Sequence, residues 1–299
     1  MKSNKSIFFQ IIIILLFICL FGFLINNLII NLIRTDLGFN FSWLLKPASF
    51  ALAEHALPYS PSDSYAWALF IGWLNSLKVI FVSLFLSTIL GIIIGLSRTG
   101  NNILLKIFSS FYITIIRQIP LLLQLMFWYF VGFLGLKNNF IYFSNLFKIN
   151  NQGIDFFGLS LTSEFSALII GLSVFTSAFI AEVIRGGIIS VPKGQWESFR
   201  SLGLSESNGL IRVIIPQALP AIIPGLTSQY LNLAKNSTLA IAIGYSDIYA
   251  INDTIINQTG RAIECFMILL LTFLILNLLI TNLMETINKL INKKKIYIN

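Results

Sequence analysis

Long apolar runs separated by short polar stretches dominate the chain. They cover residues 7–33, 66–96, 103–136, 164–184, 213–245 and 263–287. A helix needs about 20 apolar residues to cross the hydrocarbon core of a bilayer, and each run meets that length. The pattern predicts an all-α integral membrane protein with six transmembrane helices.

Other membrane architectures do not fit the pattern. Strands of a transmembrane barrel alternate apolar and polar residues over about ten positions, whereas these runs are continuously apolar. We find no inverted repeat of the kind common in secondary transporters. The first run is longer than the apolar region of a signal peptide, about 7–15 residues, so we expect it to be retained as a helix.

Composition supports the membrane assignment. Charged residues make up only 11% of the chain and hydrophobic residues 56%, whereas a soluble domain carries roughly 25% charged residues. The net charge of +8 comes from Lys and Arg at the ends of apolar runs, not from one basic patch with interleaved aromatics. This placement indicates membrane topology and contact with anionic lipid headgroups, and it argues against nucleic-acid binding.

The basic residues also predict the orientation. Six spans place both termini on one side, together with the charged loop 185–212. Lys and Arg are more numerous on that side than on the other, where they are Arg34, Lys46, Lys137, Lys148 and Arg261. By the positive-inside rule, both termini and the loop are cytoplasmic.

Few residues are available for enzymatic chemistry. His55 is the only histidine, and Cys19 and Cys265 lie inside apolar runs, where thiols behave as small hydrophobes. No Gly-x-x-x-x-Gly-Lys-Ser/Thr phosphate loop occurs, since Lys193-Gly194 has the reverse order. We therefore expect no catalytic centre, no metal and no cofactor, and no nucleotide site built on a phosphate loop.

The cytoplasmic loop contains a predicted short helix. Pro192 and Gly194 interrupt the preceding helix, residues 195–202 suit a new one, and Gly203 is placed to end it. Trp196, Phe199 and Leu202, which are spaced three residues apart, fall on one face of this helix. Two interpretations remain open: an interfacial helix on lipid, or an apolar knob that docks into a groove of a cytoplasmic partner.

At this loop the sequence resembles the signature of ABC-importer permeases. That signature is Glu-Ala-Ala, three residues, Gly, nine residues, Ile-x-Leu-Pro; Glu197, Gly203 and Pro216 match at the family spacing, and Ser198-Phe199 replace the two alanines. In the family the loop forms a coupling helix seated in a cleft of the ATPase subunit. The resemblance implies that role for Trp196, Glu197, Phe199, Arg200, Leu202, Gly203, Leu204 and Pro216.

Other stretches narrow the resemblance to importers of polar amino acids. These are Arg117-Gln-Ile-Pro-Leu-Leu-Leu-Gln124, Ala178–Gly187 and Val191–Gln195. The segment Pro58–Tyr65 and the additional N-terminal helix are similar to the general L-amino-acid branch, although the stretch between the third and fourth runs is shorter here. The resemblance, which covers about residue 40 to the C-terminus, implies a type I permease fold in a bacterial inner membrane.

The resemblance also implies a division of the chain and a set of partners. Residues 1–65 form an N-terminal helix and periplasmic segment, 66–290 a five-helix transmembrane domain with the coupling loop 185–216, and 291–299 a basic cytoplasmic tail. The expected partners are a cytoplasmic ATPase dimer, a second homologous permease that makes a heterodimer, a periplasmic amino-acid-binding protein, and lipid. A permease for an opine, methionine or another small solute, and a carrier or channel independent of ATP, stay open as alternatives.

Polar residues within spans are the candidates for the substrate pathway, because charges there are costly and often functional. Arg117 lies beside Pro120, where a broken helix turns backbone groups toward a cavity, and its guanidinium suits a substrate carboxylate. The alternative is that Arg117 pairs with Glu182. Two further sets of polar residues are candidates for substrate contact, with packing between helices as the alternative. They are Gln118 and Gln124 in the third span, and Lys235, Asn236 and Ser237 in the fifth. We expect Glu182 and Arg185 to form a structural pair.

Overall fold

Helices make up most of the protein. A computed structural model describes residues 4–34, 40–136, 141–144 and 147–296. The α-helices are α1 (Asn4–Arg34), α2 (Tyr65–Thr99), α3 (Ile103–Gln118), α4 (Leu121–Met126), α5 (Ser163–Ile189), α6 (Lys193–Ser201), α7 (Glu206–Gly209), α8 (Ile215–Asn236), α9 (Ile248–Thr259) and α10 (Ala262–Ile296). Short 3₁₀ or π segments cover Ser42–Leu45, Phe127–Phe133, Leu134–Leu136, Leu210–Ile214 and Ser237–Ile243.

The predicted spans are present as helices. Within the described part of the chain, five stretches are long and apolar enough to cross a membrane: Ile7–Asn31, Tyr65–Thr99, Ser163–Ile189, Glu206–Ile243 and Ala262–Asn292. The third predicted run becomes two helical pieces, Ile103–Gln118 and Leu121–Leu136, bent by 104° at Pro120. Counted as one broken span, this pair brings the number to six. Every side chain from Ile7 to Asn31 in α1 is exposed, as expected for a helix in lipid.

Polar side chains cap the starts of the spans. The hydroxyl of Ser64 accepts a hydrogen bond from the Trp67 amide at the start of α2, and Asn102 and Thr162 do the same for α3 and α5. The first turn of a helix has backbone amides without helical partners, and these side chains satisfy some of them. The caps therefore fix where the chain enters each span.

The pair α2 and α5 forms the centre of the bundle. Gly91 and Gly95 on α2 allow the backbones to approach closely, because a Cβ at Gly95 would lie 2.9 Å from the Ala181 carbonyl oxygen and 3.0 Å from Ile184 Cβ. In lipid the hydrophobic effect does not hold helices together, so association depends on van der Waals packing, which small residues at the crossing allow. The two glycines thus let α5 bury most of its length.

The stretch between the third and fourth spans forms a small sheet that the apolar pattern did not reveal. Strands β1 (Ile141–Ser144), β2 (Phe147–Asn150), β3 (Gly153–Phe156) and β4 (Leu159–Thr162) pair antiparallel in chain order. Ile149, Ile154 and Leu161 are cross-strand neighbours, and all three pack against the buried core between α2, α4 and α5. Residues 137–140 and 145–146 lie outside the described part.

The segment before α2 closes one end of the bundle. Trp43 and Ala48 are buried against α2, α9 and α10. The Glu54 carboxylate accepts hydrogen bonds from Lys78 Nζ on α2 at 2.7 Å and from Thr162 Oγ1 at 2.5 Å. The ion pair gives Lys78, a charged residue within a span, a partner from this segment.

Gly95→Ala tests the close contact between α2 and α5. We expect the free energy of unfolding to fall by about 1–3 kcal/mol, the usual cost of overpacking, partly offset by the better helix propensity of alanine. Thermal unfolding of the purified chain in detergent measures the change. Gly186→Ala on α5 is the matched control, since a Cβ there meets nothing within 4 Å. Equal stability of the two variants would contradict the close approach.

Candidate functional site

The cytoplasmic loop folds into a short helix with defined ends. α6 begins at Lys193, two residues before the predicted start, because Pro192 holds an extended conformation suited to a helix cap. Leu202 leaves the helix, and Gly203 takes a left-handed conformation with φ +72°. The Leu204 amide donates to the Phe199 carbonyl at 3.1 Å, and the Gly203 amide to the Arg200 carbonyl at 3.0 Å. This is the Schellman arrangement that glycine favours at a helix end.

The three apolar residues of the predicted helix face have different environments. Phe199 is 1% exposed and packs with Ile214 and Ala218 of the following segment. Its ring lies against Gly209, where any side chain would collide with it. Trp196 is half-buried beside it, and Leu202 is 77% exposed. Of these three, Leu202 and part of Trp196 are available to a partner, whereas Phe199 packs α6 against its own chain. Leu204 and Ile211, further along the loop, are 37% and 62% exposed.

Polar contacts brace the same loop. Arg200 donates to Glu206 through Nε at 2.7 Å and Nη2 at 3.3 Å, and the carboxylate raises the pKa of the guanidinium above its ordinary value. Gln217 in α8 donates to the Gln195 side chain at 3.0 Å. Glu197 is exposed, and Pro216 lies in the first turn of α8. The loop is thus tied to α8 at several points.

One carboxylate gathers three guanidinium groups near the same end of the bundle. Glu182 on α5 accepts from Arg185 Nε at 2.7 Å and from Arg98 at the end of α2. Arg117 Nη1 of α3 lies 3.9 Å from the same carboxylate. The predicted pair of Glu182 and Arg185 is present, and so is the alternative pairing of Arg117 with Glu182.

A cavity of about 340 Å³ lies beside this cluster. Its lining comes from α3 and α5: Ile113, Thr114, Arg117, Gln118, Phe179 and Glu182. The Arg117 guanidinium lies over the Phe179 ring, 4.9 Å from its centroid. The cavity brings together a cation, an amide and an aromatic ring, groups that suit a small zwitterion bearing a carboxylate.

The other predicted pathway residues lie elsewhere. Gln124 is buried, and its amide donates to the carbonyls of Ile116 at 2.9 Å and Ile119 at 3.0 Å, which the break at Pro120 leaves without helical partners. Lys235, Asn236 and Ser237 lie where α8 tightens into a 3₁₀ segment, and the Ser237 hydroxyl donates to the Ala234 carbonyl. None of these four lines the cavity that contains Arg117.

A bundle of membrane spans, with a braced and exposed loop at one end and an open cavity lined by Arg117 and Glu182, defines the class: a multi-span membrane transport subunit. The chain belongs to the family described as the binding-protein-dependent transport system inner membrane component, which matches residues 87–293.

Relatives of known type match almost the whole chain. The putative amino-acid ABC transporter permease protein YhdX of Escherichia coli is 35% identical, with 94% of this chain and 92% of the relative covered. The general L-amino acid transport system permease protein AapQ of Rhizobium johnstonii is 32% identical, with 95% and 91% covered. The first alignment spans 363 positions, more than the 299 residues of this chain, so that relative carries segments that this chain lacks.

Solved structures agree with the sequence comparison. The crystal structure of an amino acid ABC transporter with histidines matches with a TM-score of 0.60 and 28% identity, covering 75% of this chain and 94% of that one. A methionine transporter, MetNI in an inward-facing conformation, matches with a TM-score of 0.59 at 23% identity, which supports the fold alone. The predicted all-α type I permease fold, the resemblance to polar amino-acid importer permeases and the multi-pass inner-membrane location are confirmed.

Glu182→Gln tests the ion cluster. Without the carboxylate, the guanidinium groups of Arg98, Arg117 and Arg185 face one another with no opposite charge among the side chains described around them. A hydrogen bond to a charged group contributes about 1.5–3 kcal/mol, and partial exposure reduces this. We expect thermal unfolding to show a loss of about 1–3 kcal/mol. The control is Glu285→Gln, which breaks the exposed pair with Lys289 and should cost under about 0.5 kcal/mol. Equal effects would argue against a stabilising cluster.

Proposed function

We propose that this chain is the membrane-spanning permease subunit of an ATP-driven importer of L-amino acids, and that residues 185–216 couple it to a separate ATPase. The observation that carries the proposal is the exposed Leu202 on a helix end that is otherwise locked to its own chain. Among the described residues nothing covers this apolar side chain, and a groove of a second protein would do so.

The proposed orientation follows from the basic residues. Both termini and α6 lie in the cytoplasm, where the ATPase dimer docks, and residues 40–64 face the periplasm and a binding protein. The family description, with its reference to binding proteins, supports this arrangement. The division into residues 1–65, 66–290 and 291–299, and the pairing with a second, related permease, belong to the same proposal.

The proposed mechanism is alternating access driven from the loop. Closure of the ATPases displaces α6. Because Phe199 packs with residues of α5 and α8, those spans move with it rather than the loop alone. The contact between α5 and α2 then carries the tilt across the bundle. ATP is hydrolysed on the partner chain, and this chain supplies the path.

The proposed substrate class rests on relatives and on the cavity beside Arg117. YhdX and AapQ are named for amino-acid transport, and a guanidinium beside an aromatic ring suits the carboxylate of an amino acid. The comparisons do not favour a methionine or opine permease. The methionine transporter supports only the fold, and the octopine permease OccM of Rhizobium radiobacter is 27% identical over 76% of this chain, against 35% over 94% for YhdX. The comparisons do not favour an ATP-independent carrier either, since the relatives are ABC permeases.

Leu202→Glu tests the coupling surface. The side chain is exposed, so we expect the variant to fold and insert normally. A charge in the apolar groove of the ATPase removes a central contact, and such losses are about 2 kcal/mol or more. Co-purification of the ATPase subunit and amino-acid uptake should each fall about tenfold or more.

Leu290→Glu near the C-terminal end of α10 is the matched control, because it places the same charge on another exposed leucine of the predicted cytoplasmic side. It should leave ATPase binding unchanged. Full uptake by a correctly inserted Leu202→Glu variant would overturn the coupling proposal.

Arg117→Lys tests the substrate contact. Lysine keeps the charge and loses the two-pronged fork that matches a carboxylate. We expect the amino-acid concentration for half-maximal uptake to rise about tenfold, the equivalent of one lost charge-assisted hydrogen bond, while ATPase co-purification stays unchanged. Lys289→Arg, the reverse exchange at an exposed residue outside both the cavity and the coupling loop, is the control. A half-maximal concentration that does not change in Arg117→Lys excludes the guanidinium as a substrate ligand.

A further inference from the structure

A second cavity, of about 350 Å³, opens where α2, α3, α5 and α6 come together. It lies on the side of Glu182 toward the helix ends, apart from the residues that line the proposed substrate cavity. Its lining combines cations, hydroxyls, an indole and apolar side chains: Arg98, Thr99, Lys106, Ser110, Arg185, Ile188, Ile189 and Trp196.

The charge around this cavity is unbalanced. Arg98 and Arg185 both bind the single carboxylate of Glu182, which Arg117 also approaches. Within the described part of the chain, Lys106 has no carboxylate within ion-pair distance. One anion therefore serves several cations, and the site as folded carries a net positive charge that favours a further anion.

The surroundings of Lys106 indicate that this anion comes from the membrane. Its neighbours on α3, Ile103, Ile107 and Phe108, are exposed apolar side chains. Ile189, on the rim formed by α5, is 60% exposed. Apolar side chains exposed at the end of a membrane span contact acyl chains, and a long lysine side chain extends from such a position toward the headgroups.

We propose that this cavity binds the phosphate headgroup of an anionic lipid of the cytoplasmic leaflet. The ammonium of Lys106 and the guanidinium groups of Arg98 and Arg185 supply charge, and the Ser110 hydroxyl supplies a neutral donor. The acyl chains lie along the exposed residues of α3. The assignment to the cytoplasmic leaflet rests on the proposed orientation of the permease. The binding of an anionic headgroup by these residues does not depend on that orientation.

The position of the site gives the lipid a structural consequence. Trp196 of the coupling helix α6 lines the same cavity, so a headgroup seated there contacts α6, α3 and the ends of α2 and α5 together. A bound anion offsets the repulsion among the cations that Glu182 alone leaves in place. The lipid thus joins the coupling helix to the broken third span, whose residues line the same cavity.

The experiment compares lipid retention by the full chain in nanodiscs made from equal parts of phosphatidylglycerol and phosphatidylcholine. Native mass spectrometry counts the lipids that remain bound after release from the nanodisc. We expect the wild type to retain phosphatidylglycerol preferentially. Lys106→Gln should lower that preference about fivefold, the effect of one basic residue at an anionic membrane surface. Ser110→Ala should lower it less.

Lys289→Gln is the control, because it removes an exposed lysine that is paired with Glu285 and lies away from the cavity. Its lipid retention should equal that of the wild type. The proposal is overturned if Lys106→Gln and Lys289→Gln retain phosphatidylglycerol equally. It is also overturned if the wild type shows no preference for phosphatidylglycerol yet retains added inorganic phosphate, which would make free phosphate the ligand.

Lipid retention does not depend on transport, so the two proposals fail separately. The uncoupled Leu202→Glu variant should bind phosphatidylglycerol as the wild type does, because Leu202 lies outside the cavity. If a variant loses the lipid but still binds the ATPase, only the anion site is affected. Loss of ATPase binding with lipid retained would concern the coupling surface alone.

Discussion

The carboxylate of Glu182 is the interaction on which one end of the bundle depends. It lies on α5 and holds arginines from α2 and from its own helix, with Arg117 of α3 close by. Charged groups near the membrane are tolerated when they pair or reach water. One carboxylate cannot neutralise several guanidinium groups, so the surplus charge must face cavities. Arg98 and Arg185 line one such cavity, and Arg117 lines the other together with Glu182.

The break in the third span obeys the second constraint of a membrane, that backbone groups need partners. Pro120 interrupts α3 and frees carbonyls within the bilayer. Gln124, one turn into α4, turns its amide back and donates to two of them. A break whose Ile116 and Ile119 carbonyls are paired in this way allows a 104° bend next to a cavity. Arg117, just before the break, is thereby held at the cavity wall.

The sequence predicted features set by local pattern and not those set by distant packing. The length of the apolar runs predicts the spans, Pro120 predicts the break in the third span, and Gly203 predicts the end of α6. Each of these features depends on residues that are neighbours in the sequence. The strands β1–β4 were missed because four residues are too few to show a period. The spacing predicted that Phe199 shares a helix face with Trp196, but it could not predict which residues cover that face. Arg98 and Glu182 meet across 84 positions, so neither residue's neighbours indicate the other.

The aromatic residue within the signature loop is explained by the glycine ten positions later. The signature that this loop resembles has alanine where this chain has Phe199, and a phenyl ring needs more room than a methyl group. Gly209 provides it, since any Cβ there would collide with the ring. The ring in turn reaches the buried residues of α5 and α8. Interiors packed at this density transmit displacement rather than absorb it. The substitution is therefore consistent with a coupling helix that moves as one body with the spans it controls.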